Sequence, residues 1–266
     1  MADPLYDRIG RTYATTRVPD PRLAAAIRAA IGDDARTLIN VGAGAGAYEP
    51  TDLEEVVAVE PSPTMTAQRR LRGGGDGGGA DVRVLQATAE RLPLADDSVD
   101  VALAIFSDHH WPDRAAGLRE LARVAARRVV LVNSEPDAAD AFWLTREYLP
   151  GFLDLIPARY RDTPGLWRRE LVELLGGAPV TVAPLLVPHD CSDGFYAAYW
   201  RRPEAYLDAV VRDNISVFHR IEHHDAIARL ADDLRTGAWH ARHERLLQQD
   251  ALDVGVRIVV AELSSY

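Results

Sequence analysis

Three glycines stand two residues apart in the stretch LINVGAGAGAY, at Gly42, Gly44 and Gly46, directly after a short apolar run. Glycine admits close approach to the backbone, because a side chain there would occupy the ligand's space. A loop of this kind also offers N–H groups to an anionic or hydrogen-bonding ligand. An acid, Glu60, follows eighteen residues after Gly42 and ends the run VVAVE. A carboxylate in that place can hold a ribose. No Gly-Lys-Ser/Thr occurs, which excludes a Walker phosphate loop. Gly42, Gly44 and Ala47 fit the dinucleotide pattern with alanine in its last place. The loop and its acid alone are therefore compatible with a nicotinamide or an adenosyl cofactor.

Two further clusters carry reactive side chains. FSDHHWPD, residues 106–113, follows an apolar run and contains His109 and His110. Imidazole titrates near neutrality, so either can serve as a general base; the same segment can equally pack and cap a following helix. PHDCSDGFYAAYW, residues 188–200, brings His189, Asp190 and Cys191 together in sequence. Neighbours on an extended chain point to opposite faces, which argues against a hydrolytic triad. Tyr196, Tyr199 and Trp200 have the spacing of one helix face and are candidates for a substrate wall. His223, His224 and Asp225 lack further ligands at helical spacing, so no metal is expected.

Positioning these groups requires an ordered core, and the composition supplies one. The chain has 266 residues, 47% of them hydrophobic. Its net charge of -10 argues against non-specific binding to nucleic acid or to a membrane surface. All 30 basic side chains are arginine, which reads as a coding bias. A single cysteine, Cys191, permits no intrachain disulfide. The N-terminal stretch has no apolar leader pattern and no run is long enough to span a bilayer, so a cytoplasmic location is expected.

DPRLAAAIRAAIG (20–32) reads as a helix capped by Asp20 and ended by Gly32. Strands are expected at 37–41, in DLEEVVAVE, at 82–88, in 99–106 and at 127–133, with a helix at 113–126. A helix at 166–177, a strand at 180–188, a mostly helical block and a closing strand at 253–263 follow. GGGDGGGA (73–80) reads as a linker. This alternation is that of an α/β fold, a mostly parallel sheet with helices on both faces.

The segments VGAGAGAYEP, VVAVEPSPTMTAQ, QATAERLPLADDSVDVALAI, HHW and LRELARVAARRVVLV occur in this order. In that order they resemble the class I S-adenosylmethionine-dependent methyltransferases, in particular the small-molecule group that includes quinone-biosynthesis enzymes. The resemblance is strong over residues 35–133. It implies a Rossmann-like seven-stranded sheet whose last strand is antiparallel, with a helical lid inserted between strands six and seven. It divides the chain into a helical segment covering the cofactor (1–34), a core (35–191 and 251–266) and a lid (192–250).

By the same resemblance, Gly42, Gly44 and Gly46 pass under the methionine moiety of S-adenosylmethionine and Glu60 holds both ribose hydroxyls. Met65 matches a position near the adenine. Phe106 lies beside the cofactor, and Tyr13 and Arg17 cover it, Arg17 toward the methionine carboxylate. The family's acid after the third strand, which receives the adenine amino group, is replaced here by Thr88, whose hydroxyl can accept in its place; the N–H of Ala89 is expected to meet the adenine ring, and Glu90 to face solvent or cap a turn. The implied reaction is methyl transfer to a small-molecule acceptor, with S-adenosylhomocysteine as product; natural-product tailoring is one association of such a composition. Two other readings remain: a nicotinamide-dependent oxidoreductase, and a methyltransferase-fold protein that binds without catalysis. Oligomeric state is open.

Overall fold

A computed structural model describes residues 17–72 and 82–263. Tyr13 and the linker at 73–80 lie outside the described residues. Seven strands form the central sheet: β1 (Thr37–Val41), β2 (Glu55–Val59), β3 (Val82–Leu85), β4 (Val99–Ile105), β5 (Ala125–Ser134), β6 (Val180–Pro184) and β9 (Val256–Glu262). Their spatial order is β3-β2-β1-β4-β5-β9-β6. β1 to β5 pair in parallel, and β9 runs antiparallel between β5 and β6. Rossmann-like topology and the reversed last strand thus match the expectation.

Side chains alternate across this sheet with period two. Leu38, Val56, Leu103 and Val130 face one side, where helix α1 (Pro21–Ile31) packs Leu23, Ile27 and Ile31 against them. Ile39, Val57, Ala102 and Leu131 face the other, under α3 (Arg114–Val124) and α5 (Leu166–Leu174). Leu118, Leu121 and Val124, which fall on one stripe of α3, are fully buried there. The expected cap of α1 forms, Asp20 accepting the N–H of Arg22 at 2.9 Å; Asp113 caps α3, accepting the N–H of Ala116 at 2.9 Å.

Two local expectations differ. The segment 180–188 is not one strand: β6 ends at Pro184, and Val187–Pro188 (β7) pairs separately with Ala251–Leu252 (β8). Proline has no N–H to continue a ladder, and Leu186 swings out, 52% exposed. A second stretch packs against the later helical block. Residues 136–155 form short helical turns, including a π-helical turn at Leu144–Tyr148, and α4 (Ala158–Asp162) follows; Phe142 to Leu149 pack on the α1 face of the sheet, whereas Tyr160 packs on the other. Trp143 from this stretch meets Trp239 and Tyr206 of the later block, with ring centres 5.1 and 5.9 Å apart. Finally, residues 195–201 are a run of turns, not a helix, so Tyr196, Tyr199 and Trp200 do not share a helix face.

The later block contains α6 (Ala209–Asp213), α7 (His224–Thr236) and α8 (Ala238–Arg242). It packs with α1 on one face of the sheet and leaves the carboxyl ends of β1 to β4 to meet one cavity.

Candidate functional site

The cavity sits where strand order reverses, between β1 and β4, the usual ligand crevice of an open α/β sheet. It encloses about 1170 Å³, counting the part open to solvent. Most of its walls come from loops that follow strands: Gly42 to Ala45 and Ala47 after β1, Glu60 to Ser62 after β2, Ala87 to Glu90 after β3, and Phe106, Ser107 and His110 to Pro112 after β4.

The glycine loop is built by backbone pairing. Gly42 and Ala43 both donate N–H to the carbonyl of Val59, at 2.9 and 3.0 Å. Gly42 has φ +70°, and a Cβ there would fall 2.5 Å from Cβ of Ser107. Gly44 has φ +52°. Both positions need glycine for conformation as well as space. No helix follows the loop; residues 42–54 reach β2 through turns. The donors facing the cavity are therefore those of the loop itself, without a helix end behind them.

Glu60 is 7% exposed. Its Oε2 accepts the N–H of Gly44 at 2.8 Å, and its Oε1 accepts the N–H of Ser62 at 2.8 Å. A carboxylate has about four acceptor positions, so further hydrogen bonds fit on the cavity side. Met65 is buried beside Gly44 and lines the cavity, as do Thr88, Ala89 and Phe106. Glu90 accepts the N–H of Asp113 at 3.2 Å, ahead of α3. Phe106 holds φ +49°, an uncommon conformation for an aromatic residue, with its N–H on Val132 O at 2.7 Å.

The other expected residues are placed as follows. Arg17 lines the cavity, and its guanidinium is paired with Asp193. Gly46 does not line it; its N–H closes the turn on Ala43 O at 2.9 Å. His110 lines the cavity, whereas His109 is not among the lining residues and keeps 49% of its side chain exposed. Burial, then the neighbouring His109 and the charge of Arg220, push the His110 imidazole down to about 2. It is neutral at physiological pH and weakly basic. Tyr196, Tyr199 and Trp200 are outside the lining. Tyr196 stacks on Phe152 with centres 4.9 Å apart. Trp200 is fully buried and donates its indole N–H to Val187 O at 2.9 Å. Among the described residues no cluster could hold a metal, and the His223–Asp225 stretch begins α7.

Sequence reasoning passed over Asn40, although it is the one polar residue inside the buried part of β1. It lines the cavity at 3% exposure. Its Nδ2 donates to Glu49 at 2.9 Å, and Glu49 is itself clamped by Arg69. Its Oδ1 has no hydrogen-bond partner among the described residues. A buried acceptor of this kind fits the ammonium of an amino-acid ligand end. Trp111 was also missed; its ring packs against Gly117, where any Cβ would fall 2.3 Å away.

These features fit S-adenosylmethionine: a glycine cradle, a fixed carboxylate for a ribose, apolar walls for an adenine, and an unsatisfied acceptor beside the loop. Comparison with known proteins agrees. The family profile described as "Methyltransferase domain" matches residues 39–132. An uncharacterized methyltransferase of Mycobacterium tuberculosis is 33% identical over 153 residues, covering 55% of this chain and 50% of the relative. The uncharacterized methyltransferase YcgJ of Bacillus subtilis is 34% identical over 108 residues, covering 36% of this chain and 40% of that one. The chain thus spans about half the length of these curated relatives. A solved structure from Anabaena variabilis, described as a methyltransferase from an antibiotic biosynthesis pathway, superposes with TM-score 0.78. It is 31% identical, covering 93% of this chain and 99% of that chain. Strand order, glycine loop, strand-end acid and near full-length similarity converge: the chain belongs to the class I S-adenosylmethionine-dependent methyltransferases.

Proposed function

We propose that the protein transfers a methyl group from S-adenosylmethionine to a small-molecule acceptor held beneath the lid. The observation that carries this reading is the convergence of the Gly42–Gly44 turn, the tethered Glu60 and the unpartnered Oδ1 of Asn40 on one cavity. When bound, S-adenosylmethionine supplies an electrophilic methyl on a sulfonium leaving group. The chain's own residues bind, orient and keep water out. Glu60 addresses the ribose, Asn40 and the loop N–H groups address the methionine end, and Met65, Thr88 and Ala89 flank the adenine. Phe106 and Trp111 close the cavity with apolar surface, which favours displacement by holding reactants in line.

Burial disfavours the charged form of His110, so the imidazole meets the acceptor as a neutral group with a nitrogen able to take up a proton. From the cavity wall His110 helps to place the acceptor. Two lid segments over the cavity side favour a buried small molecule over a macromolecule. Similarity to the Anabaena protein supports a secondary-metabolite acceptor.

Isothermal titration with S-adenosylhomocysteine tests the reading. Micromolar binding is expected, with no binding of NADH. A folded protein that does not bind S-adenosylhomocysteine at high micromolar concentration overturns it.

A further inference from the structure

Three stretches distant in sequence meet on one buried carboxylate beside the cavity. Asp193 is fully buried and takes Nε of Arg17 at 2.5 Å and Nη2 of Arg17 at 3.2 Å. It also accepts the hydroxyl of Tyr48 at 2.9 Å. Arg17 and Asp193 form a backbone bridge as well. The Tyr48 oxygen in turn accepts the N–H of Asp20 at 3.3 Å, and Asp20 accepts the N–H of Ser192 at 3.1 Å. Arg17 and Tyr48 both line the cavity. Phe195, two residues beyond Asp193, stacks on Phe106 of the cavity wall, with centres 5.2 Å apart. The first residues of the later lid block are therefore part of the cavity's surroundings, and Asp193 is what fastens them.

The chemistry of this junction makes it stiff. A buried carboxylate is costly without counter-charge and donors, and here it has both. Burial, with the Asp193 charge, pushes the Tyr48 phenol far up, so it stays a donor across the working pH range. Breaking the junction exposes an ion pair and a phenol together, and so it opens as one unit.

We infer that Asp193 is a clasp: it positions Arg17 and the lid against the cofactor cavity, and the cofactor exchanges only when the Arg17–Asp193 pair opens. This rests on the function proposed above and adds a residue that sets the rate of cofactor exchange.

Stopped-flow release of S-adenosylhomocysteine, followed by tryptophan fluorescence, tests the clasp in the wild type, Asp193→Asn and Tyr48→Phe. Release is expected to quicken about tenfold or more in Asp193→Asn and about threefold in Tyr48→Phe, with association quickening in parallel. A merely structural Asp193 would lower the melting temperature and leave the release rate unchanged, which overturns the inference. If Asp193→Asn does not fold, Tyr48→Phe decides, since it keeps the ion pair; unchanged release then overturns the clasp. A wild type that binds no S-adenosylhomocysteine refutes the proposed function instead. In that case amide exchange at residues 192–198 in ligand-free protein reads the clasp, expected to rise about tenfold in Asp193→Asn and about threefold in Tyr48→Phe; unchanged exchange overturns it.

Discussion

Glu60 accepts the N–H of Gly44 at 2.8 Å, so the acid that ends β2 is tied to the loop that ends β1. The second oxygen, on Ser62 N–H at 2.8 Å, leaves the carboxylate no freedom to turn. Glu60→Gln replaces one acceptor oxygen with a donor facing a backbone donor. Affinity for S-adenosylhomocysteine is expected to fall about 10- to 100-fold, the worth of one charge-assisted contact of about 1.5–3 kcal/mol. Titration calorimetry checks it; an unchanged dissociation constant would show that Glu60 serves only the loop.

Asn40 separates the two ends of the ligand. If its unpartnered Oδ1 meets the amino-acid end, Asn40→Ala weakens S-adenosylhomocysteine by about tenfold. Methylthioadenosine, which lacks that end, should bind the variant as it binds the wild type. Equal losses for both ligands would instead assign Asn40 a supporting role through Glu49.

Gly42 bears two constraints at once, φ +70° and Ser107 Cβ at 2.5 Å from a built Cβ. Gly42→Ala is expected to cost about 1–3 kcal/mol of stability and to abolish cofactor binding, because the loop must shift. Denaturant unfolding measures the first effect. Retained stability and binding would mean that the loop relaxes freely.

How much of this was legible follows from the kind of signal each residue gives. Strands β1 to β5 announce themselves as apolar runs, and Asp20, Gly32 and Asp113 mark helix ends by residue type alone. Gly42, Gly44 and Glu60 were readable because few residue types can do their work. Asn40 was not, because a single polar residue in a strand has no spacing partner to mark it. The segment that packs against the later helical block escaped because its short turns around AFWLTREYLPGFL have no sustained period; its aromatic content was the available signal. Trp200 has helical spacing to Tyr196, yet its indole N–H pairs with Val187 O and its carbonyl accepts Trp143 Nε1 at 2.8 Å. Such pairing across more than ten residues of sequence is decided by packing, which no local pattern records.

His110 provides a prediction in pH. Burial holds its imidazole at about 2 in the folded protein, against 6.5 as the ordinary value. Below pH 6.5 the unfolded chain binds a proton that the folded chain does not, so this group makes stability fall as pH drops from 6.5 toward 2. At pH 5 the loss relative to pH 7.5 is about 2 kcal/mol, at 1.36 kcal/mol per pH unit. Asp20, whose carboxyl is lowered chiefly by its hydrogen bond to Arg22, loses its contribution only below the ordinary carboxylate range. The interval between pH 6.5 and 5 therefore isolates imidazole from carboxylate. Urea midpoints at pH 7.5, 6 and 5 should drop in the wild type and drop much less in His110→Gln. Parallel curves for the two proteins would show that His110 takes up its proton in the folded state.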